Sequence, residues 1–251
     1  MSGRKIAGSV ALVTGANRGI GRAITDALLE RGAKKVYATA RDPKTVEALK
    51  QRYGSRVVPL RLDVTRADQV AEIARQAPDV ELLFNNAGLA TATQLTSEAI
   101  VDQARREMEV NYFGPLQLVQ RLAPTLAKNG GGAVINVGSV AGLANFLMIP
   151  TYSASKAALH SLTQAARALL GAQGTSVFGV YAGPVDTDMS REFVVAKAPP
   201  RDVAFAILDG IEAGQEDIFP DPFAVDFSRR YEASPKASEQ YMVAMLSSPA
   251  A

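Results

Sequence analysis

The sequence predicts an α/β fold: a single domain, residues 1–251, built on one doubly wound parallel sheet of about seven strands with helices on both faces. Three observations predict it. Apolar runs of strand length alternate with amphipathic runs of helix length from residue 10 to past residue 210. The strand segments are apolar throughout rather than alternating, as in sheets covered on both sides. No repeat, low-complexity tract or linker divides the chain.

Residues 10–14 read as a buried strand and 20–31 as a helix stopped by Gly32. A strand follows at 35–40, then a helix at 43–53 with Pro43 at its first position, where the missing N–H costs nothing. Residues 57–62 are a strand, 66–76 a helix started by Thr65, and 80–85 a strand. Helices are predicted at 97–110 and 115–128, a strand at 133–138, a long helix at 152–170 and a strand at 176–181. A helix at 200–213 and a short strand at 217–219 complete the pattern. From Pro220 onward the chain is richer in Pro, Ser and charge, and reads as a surface extension with partial disorder expected at 247–251.

Composition removes several chemistries. With no cysteine and one histidine, His160, the chain has no Cys-based or multi-His zinc site, disulfide, cysteine nucleophile or thiolate-ligated iron-sulfur cluster. No metal site is expected, and a Ser-His-Asp triad would have to use His160. The net charge of +2 gives no surplus for a nucleic-acid or polybasic membrane surface. The first residues, MSGRKIAGSVALV, carry a basic pair but only a short apolar run broken by Gly and Ser, so no signal peptide is expected. Residues 130–155 are uncharged over a membrane-spanning length, yet Asn136, Asn145, Pro150 and several Gly and Ser make them a buried strand followed by a loop. A cytoplasmic location is the default, since an absence of cysteine fits a reducing compartment and any other.

The first strand runs into Thr14-Gly15-Ala16-Asn17-Arg18-Gly19-Ile20-Gly21, and a helix follows. A strand, a glycine turn and a helix N-terminus together make an anion site, because backbone N–H groups and the helix dipole point at a phosphate. The spacing G-x-x-x-G-x-G differs from G-x-G-x-x-G, and no Gly-Lys-Ser/Thr is present, which disfavours nucleotide hydrolysis. A glycine turn needed only for tight packing is the competing reading. The fold is thus Rossmann-like. After the second strand such folds place an acid for a ribose 2′-OH or an Arg for a 2′-phosphate. Here the strand ends in Ala40-Arg41, with Arg18 in the loop as a second guanidinium, which favours NADP(H) over NAD(H). Two solvated surface arginines are the alternative. Asp42 works against the phosphate site, unless it caps the helix that begins at Pro43.

Tyr152 and Lys156, in YSASK, lie four residues apart and so share one helix face. A phenol ionises near ~10, and a neighbouring ammonium lowers that value, so the pair can move a proton without a histidine. Ser139 follows the strand AVINVG, and Asn85-Asn86-Ala87-Gly88 ends another strand at the same carboxyl edge, where open α/β sheets bind ligands. Asn111-Tyr112-Phe113-Gly114 interrupts a helical run and would expose backbone groups and an amide.

With these segments together the chain resembles a short-chain dehydrogenase/reductase, over about residues 8 to 220. Five motifs appear in order: TGANRGIG, LDVT at 62–65, NNAG, NYFG, and Ser139 followed by YSASK. The resemblance implies Tyr152 as general acid or base. It implies that Lys156 lowers the tyrosine pKa and holds the nicotinamide ribose, that Ser139 bonds the substrate oxygen, and that Asn111 holds a water in a proton relay. It further implies adenine contacts from Asp63 and Val64, ribose contacts from Asn86, Ala87 and Gly88, and support of that turn by Thr14. Asp63 could equally begin a turn, and Asn85 and Asn86 could satisfy strand-end backbone. Where the family has Pro-Gly, this chain reads Ala182-Gly183-Pro184-Val185-Asp186-Thr187; Val185 and Thr187 keep their register for carboxamide contacts. A short substrate loop is expected near 188–199, and His160 is expected to face a neighbouring helix.

Phe146, Leu147, Met148, Ile149, Tyr181 and Phe193 suggest an apolar pocket for a ketone or aldehyde, with core packing as the competing role. The leading expectation is an NADP(H)-dependent carbonyl reductase or alcohol dehydrogenase, acting on a small carbonyl or alcohol. The alternative is a non-catalytic dinucleotide-binding regulator; a halide-eliminating relative is disfavoured by Lys156 and the three loop glycines. The resemblance also implies a homodimer or homotetramer formed through helices at 111–128 and 152–170.

Overall fold

The computed structural model describes residues 3–192 and 194–247. Seven strands form one parallel sheet in the order β3-β2-β1-β4-β5-β6-β7. The first half comprises β1 (Val10–Val13), α1 (Gly19–Glu30), β2 (Lys35–Ala40), α2 (Glu47–Tyr53), β3 (Val57–Arg61) and α3 (Ala67–Gln76). The second half continues with β4 (Leu82–Asn85), α4 (Ile100–Met108), α5 (Gly114–Lys128), β5 (Ala133–Ser139), α6 (Pro150–Leu170), β6 (Ser176–Ala182), α7 (Pro200–Ala213) and β7 (Asp217–Ile218). Because β1 pairs with both β2 and β4, the winding reverses between β1 and β4. That is the crevice where such sheets bind ligands.

Alternation along the strands sorts two cores. Ala11, Val13, Val36 and Ala38 face Ile24, Leu28, Ile207 and Leu208 from α1 and α7. Val10, Leu12 and Tyr37 face Val70, Ile73, Leu118 and Leu122 from α3 and α5. Both faces are therefore covered, which is why the strands carry no polar alternation. The C-terminus of α1 ends as the sequence suggests: Gly32 has φ +81°, and Ala33 N donates to Leu28 O at 2.9 Å.

Several predicted boundaries are corrected. Residues 43–46 form a 3₁₀ turn, capped by Asp42 accepting from Lys44 N at 3.0 Å, before α2 begins. Thr65 does not start the third helix. Asp63 Oδ1 accepts from Thr65 N and Oγ1, a local turn that uses up the threonine hydroxyl, and Arg66 flanks α3 without a side-chain cap. The interruption expected at Asn111 is a π-helical turn, Glu109–Phe113, that joins α4 to α5; such wider turns re-aim side chains.

The largest correction lies after Pro220. The expected surface extension is a helix pair, α8 (Pro222–Ala233) and α9 (Pro235–Ser247). Ala224, Phe227 and Met242 are buried there against Val140 and Tyr181. Apolar spacing hidden within a charged stretch drives this packing. Residues 248–251 and Phe193 lie outside the described residues. Among the described residues no helix is long and apolar enough to cross a membrane, and the uncharged stretch forms β5, a loop and the start of α6.

Candidate active site

The carboxyl edge of β1, β4, β5 and β6 gathers the predicted site residues. Thr14, just past β1, binds the two halves. Its Oγ1 accepts from Asn86 N and Ala87 N, both at 2.9 Å, and donates to Phe84 O at 3.2 Å. Asn86 Nδ2 returns a bond to Thr14 O at 2.8 Å. The Asn86 amide thus braces the glycine loop. Asn85 donates from Nδ2 to Asn136 Oδ1 at 2.8 Å inside the sheet, while its own Oδ1 is buried without a hydrogen-bond partner among the described residues.

The glycines leave a cradle. Gly15 and Gly19 have φ +65° and +54°, a region that disfavours side chains. A Cβ on Gly19 would lie 3.2 Å from Thr187 Cγ2, and one on Gly21 2.2 Å from Gly15 O. The residue before α1, Arg18, gives its first turn no side-chain cap, so N–H groups there are left for another acceptor. A pyrophosphate suits that cradle. Ile20 packs on the core and Asn17 is half-buried in the loop. Val64 is buried against Gly114, where a Cβ would sit 2.9 Å from Val64 Cγ2. Arg41 is exposed at the end of β2, whereas Arg18 pairs with Asp188 at 3.3 Å, both side chains well exposed.

Beyond β6, Val185 is buried and bridges Ala198, while Thr187 begins a 3₁₀ turn at Asp188–Ser190. Ala198 thus lies beside Val185. Gly183 N donates to Asp221 Oδ2 at 2.8 Å, and Asp221 Oδ1 accepts from Ala224 N at 2.8 Å. A side chain at 183 would meet Asp221 Oδ1 at 2.6 Å. One buried carboxylate thus joins the loop after β6 to the start of α8.

Tyr152 and Lys156 are buried on α6, with Lys156 Nζ 5.7 Å from the phenol ring centre. Lys156 Nζ donates to Val137 O at 2.9 Å. Ser139, at the end of β5, donates to Ala182 O and accepts from Ala141 N, both at 3.2 Å. Asn111 Nδ2 donates to Leu89 O and Ser155 Oγ at 2.7 and 2.8 Å, and its Oδ1 accepts from Leu89 N at 2.8 Å. Gly88 lies between, since a Cβ on it would be 3.4 Å from Asn111 Oδ1 and 3.8 Å from Lys156 Nζ.

Burial dominates the electrostatics. It pushes the Tyr152 phenol up to about 12, with the nearby Ser139 hydroxyl pulling the other way. It also pushes the Lys156 ammonium down to about 8. The expected lowering of the phenol by its neighbour is not met here. The ammonium is spent on Val137 O, and desolvation of a phenolate outweighs its attraction.

Other expectations are also corrected. His160 faces a strand rather than a helix: its Nδ1 lies 2.6 Å from the Tyr181 hydroxyl of β6. Tyr181 stacks on Phe219 beneath α8, away from the Tyr152 cluster. Phe146 and Ile149 do pack at Tyr152, but Leu147 and Met148 are exposed. Sequence reasoning missed Gly142, where a Cβ would lie 2.7 Å from Lys156 O and push the Ser139 loop off α6. It also missed Ser153 and Ser155, which hold Phe146 N and Asn111, and the buried Glu107 and Asp221. Only the fixed spacing inside YSASK hinted at the serines.

Comparison with known proteins fixes the class. A family model described as short chain dehydrogenase matches residues 9–197. An uncharacterized oxidoreductase of Staphylococcus aureus strain MW2 is 32% identical over 206 residues, covering 79% of this chain and 89% of the relative. A short chain dehydrogenase from Burkholderia cenocepacia in complex with NADP superimposes with a TM-score of 0.89 and 39% identity, covering 95% of this chain and 99% of that one. A family protein from Burkholderia phymatum in complex with NAD gives a TM-score of 0.81 and 26% identity, covering 91% and 95%. The chain belongs to the short-chain dehydrogenase family, a class of oxidoreductases.

Proposed function

We propose that the protein is an NADP(H)-dependent carbonyl reductase acting on an apolar ketone or aldehyde, with Tyr152 as general acid. The observation that carries the reading is the meeting of Tyr152, Lys156, Ser139 and Asn111 beside the glycine cradle. NADP(H), when bound, supplies the hydride. Glycines 15, 19 and 21 would admit its phosphates, and Gly183, Val185 and Thr187 its nicotinamide end. Asp63, Val64 and the 86–88 turn would flank the adenosine.

Each side chain then has a task. The buried phenol of Tyr152 is held protonated at neutral pH, which suits donation to a substrate oxygen. Ser139 orients that oxygen, Lys156 keeps a positive charge within reach of the phenol, and Asn111 fixes the turn carrying Gly88. In the reverse direction Tyr152 accepts the proton. The whole chain acts as one domain, with 188–199 as the substrate loop.

Arg41 and Arg18 support NADP(H) over NAD(H), as no acid ends β2. The Arg18–Asp188 pair is exposed and worth under about 1 kcal/mol. A hydrogen bond to a charged phosphate contributes about 1.5–3 kcal/mol, so phosphate wins Arg18 from Asp188. Exposed Val101, Phe113 and Leu169 on the α4–α5 and α6 helices support assembly into a dimer or tetramer. The reading places the enzyme in the cytoplasm.

The test is oxidation of NADPH and NADH against a panel of ketones and aldehydes. NADPH is expected to turn over faster, and Arg41→Asp to shift preference toward NADH by about tenfold, near 1.4 kcal/mol. An unchanged cofactor preference contradicts the role of Arg41.

A further inference from the structure

Asp221, at the start of α8, is only 4% exposed, and both of its oxygens accept hydrogen bonds from backbone. Oδ1 accepts from Ala224 N at 2.8 Å and so caps the helix, which has Pro222 at its first position. A cap needs only one oxygen. The other, Oδ2, accepts from Gly183 N at 2.8 Å, in the loop that follows β6. Glycine at 183 lets the two segments meet: a Cβ there would lie 2.6 Å from Asp221 Oδ1 and 2.8 Å from Phe223 Cδ1.

The N–H of Gly183 and the C=O of Ala182 belong to one planar peptide unit. That carbonyl accepts from Ser139 Oγ at 3.2 Å, and Ser139 and Ala182 are register partners at the ends of β5 and β6. Ser139 Oγ in turn accepts from Ala141 N at 3.2 Å. A single peptide is therefore gripped at its N–H by a buried carboxyl group and at its C=O by the Ser139 hydroxyl. Bonds to charged groups are the stronger ones, and bonds in series polarise one another. A serine would cap α8 as well, so the cap does not account for a side chain that reaches back to Gly183.

We propose that Asp221 is a positioning residue for the reaction: by fixing the plane of the 182–183 peptide, it sets where the Ser139 hydroxyl stands. The inference rests on the reading of Ser139 as the group that orients the substrate oxygen. The peptide carries the effect because it resists twisting about its C–N bond, so tilting its N–H also moves its C=O. A misplacement of about 1 Å can slow a reaction by about 10²-fold. α8 then reaches the site by two routes, through Asp221 to Ser139 and through Phe223 to Phe146, which packs at Tyr152.

Asp221→Ser keeps a cap for α8 but is too short to hold Gly183 as well. Its rate of ketone reduction at saturating NADPH is expected to fall by about tenfold. In a Ser139→Ala background the same exchange should slow reduction by less than about twofold, because the group it positions is gone. Asp221→Ala removes cap and bridge together, and should melt at a lower temperature than Asp221→Ser yet show the same loss of rate. The Gly183 amide proton is read without turnover: in Asp221→Ser its NMR resonance should move upfield and its exchange with solvent deuterium quicken. Asp221→Thr, another short capping residue, gives an independent copy of the test. Equal slowing with and without Ser139 overturns the proposal. So does a rate that follows the melting temperature across the variants, or a Gly183 amide that does not move. Failure of the underlying reading is separate: Ser139→Ala alone would then reduce the ketone at the wild-type rate.

Discussion

The glycine loop at the end of β1 and the aromatic cluster under α8 and α9 are held in different ways. The loop is held through its backbone groups, which two short polar side chains brace. The short polar side chains of Thr14 and Asn86 bond main-chain groups of the facing turn, and missing Cβ atoms set how closely the turns approach. The cluster is held by side chains drawn from distant segments. Phe146, after β5, lies 6.2 Å from Phe223 and 6.0 Å from Phe227 of α8. Asp221 carries hydrogen bonds from the β6 loop into that helix. A backbone-built region tolerates almost no substitution and leaves a fixed spacing in the sequence. A region built from side chains can be repacked, and so can be fitted to a particular substrate.

That contrast can be broken by mutation. Phe227→Ala should have the largest effect on stability, about 4 kcal/mol, because it empties a buried ring site. Its denaturation midpoint should fall while NADPH affinity stays within a few-fold; an equal loss of NADPH binding would mean the two regions are not separable. Gly21→Ala should cost less stability, about 2 kcal/mol, yet abolish NADPH binding, because the added Cβ drives into Gly15 O and Asn86 Nδ2. Fluorescence titration with NADPH checks it, and retained binding would contradict the cradle. The Arg41→Asp exchange is the smallest of the three in energy and sharpens the comparison, since it should change which cofactor is preferred without moving the substrate side.

The same contrast explains what was legible in the sequence. The doubly wound sheet could be read because strands covered on both faces are apolar throughout, and the site because TGANRGIG, NNAG and YSASK encode local geometry at fixed spacing. The helix pair after Pro220 was not legible. Its buried Phe227 and Met242 are few, sit among charged residues, and find partners near Val140 and Tyr181, far away in the chain. Glu107 and Asp221 look like any surface acids until the fold buries them. The ionisation of Tyr152 was misjudged for a related reason: the Tyr-Lys spacing is local, but the burial that dominates it comes from the tertiary packing.

The central claim is that Tyr152 donates the proton in a site whose cofactor cradle stands apart from it. The direct measurement is Tyr152→Phe, assayed for NADPH binding by fluorescence and for ketone reduction in single turnover. The account predicts NADPH affinity within about twofold of wild type and a rate lower by about 10²-fold or more. Reduction at a near wild-type rate with NADPH bound would contradict it.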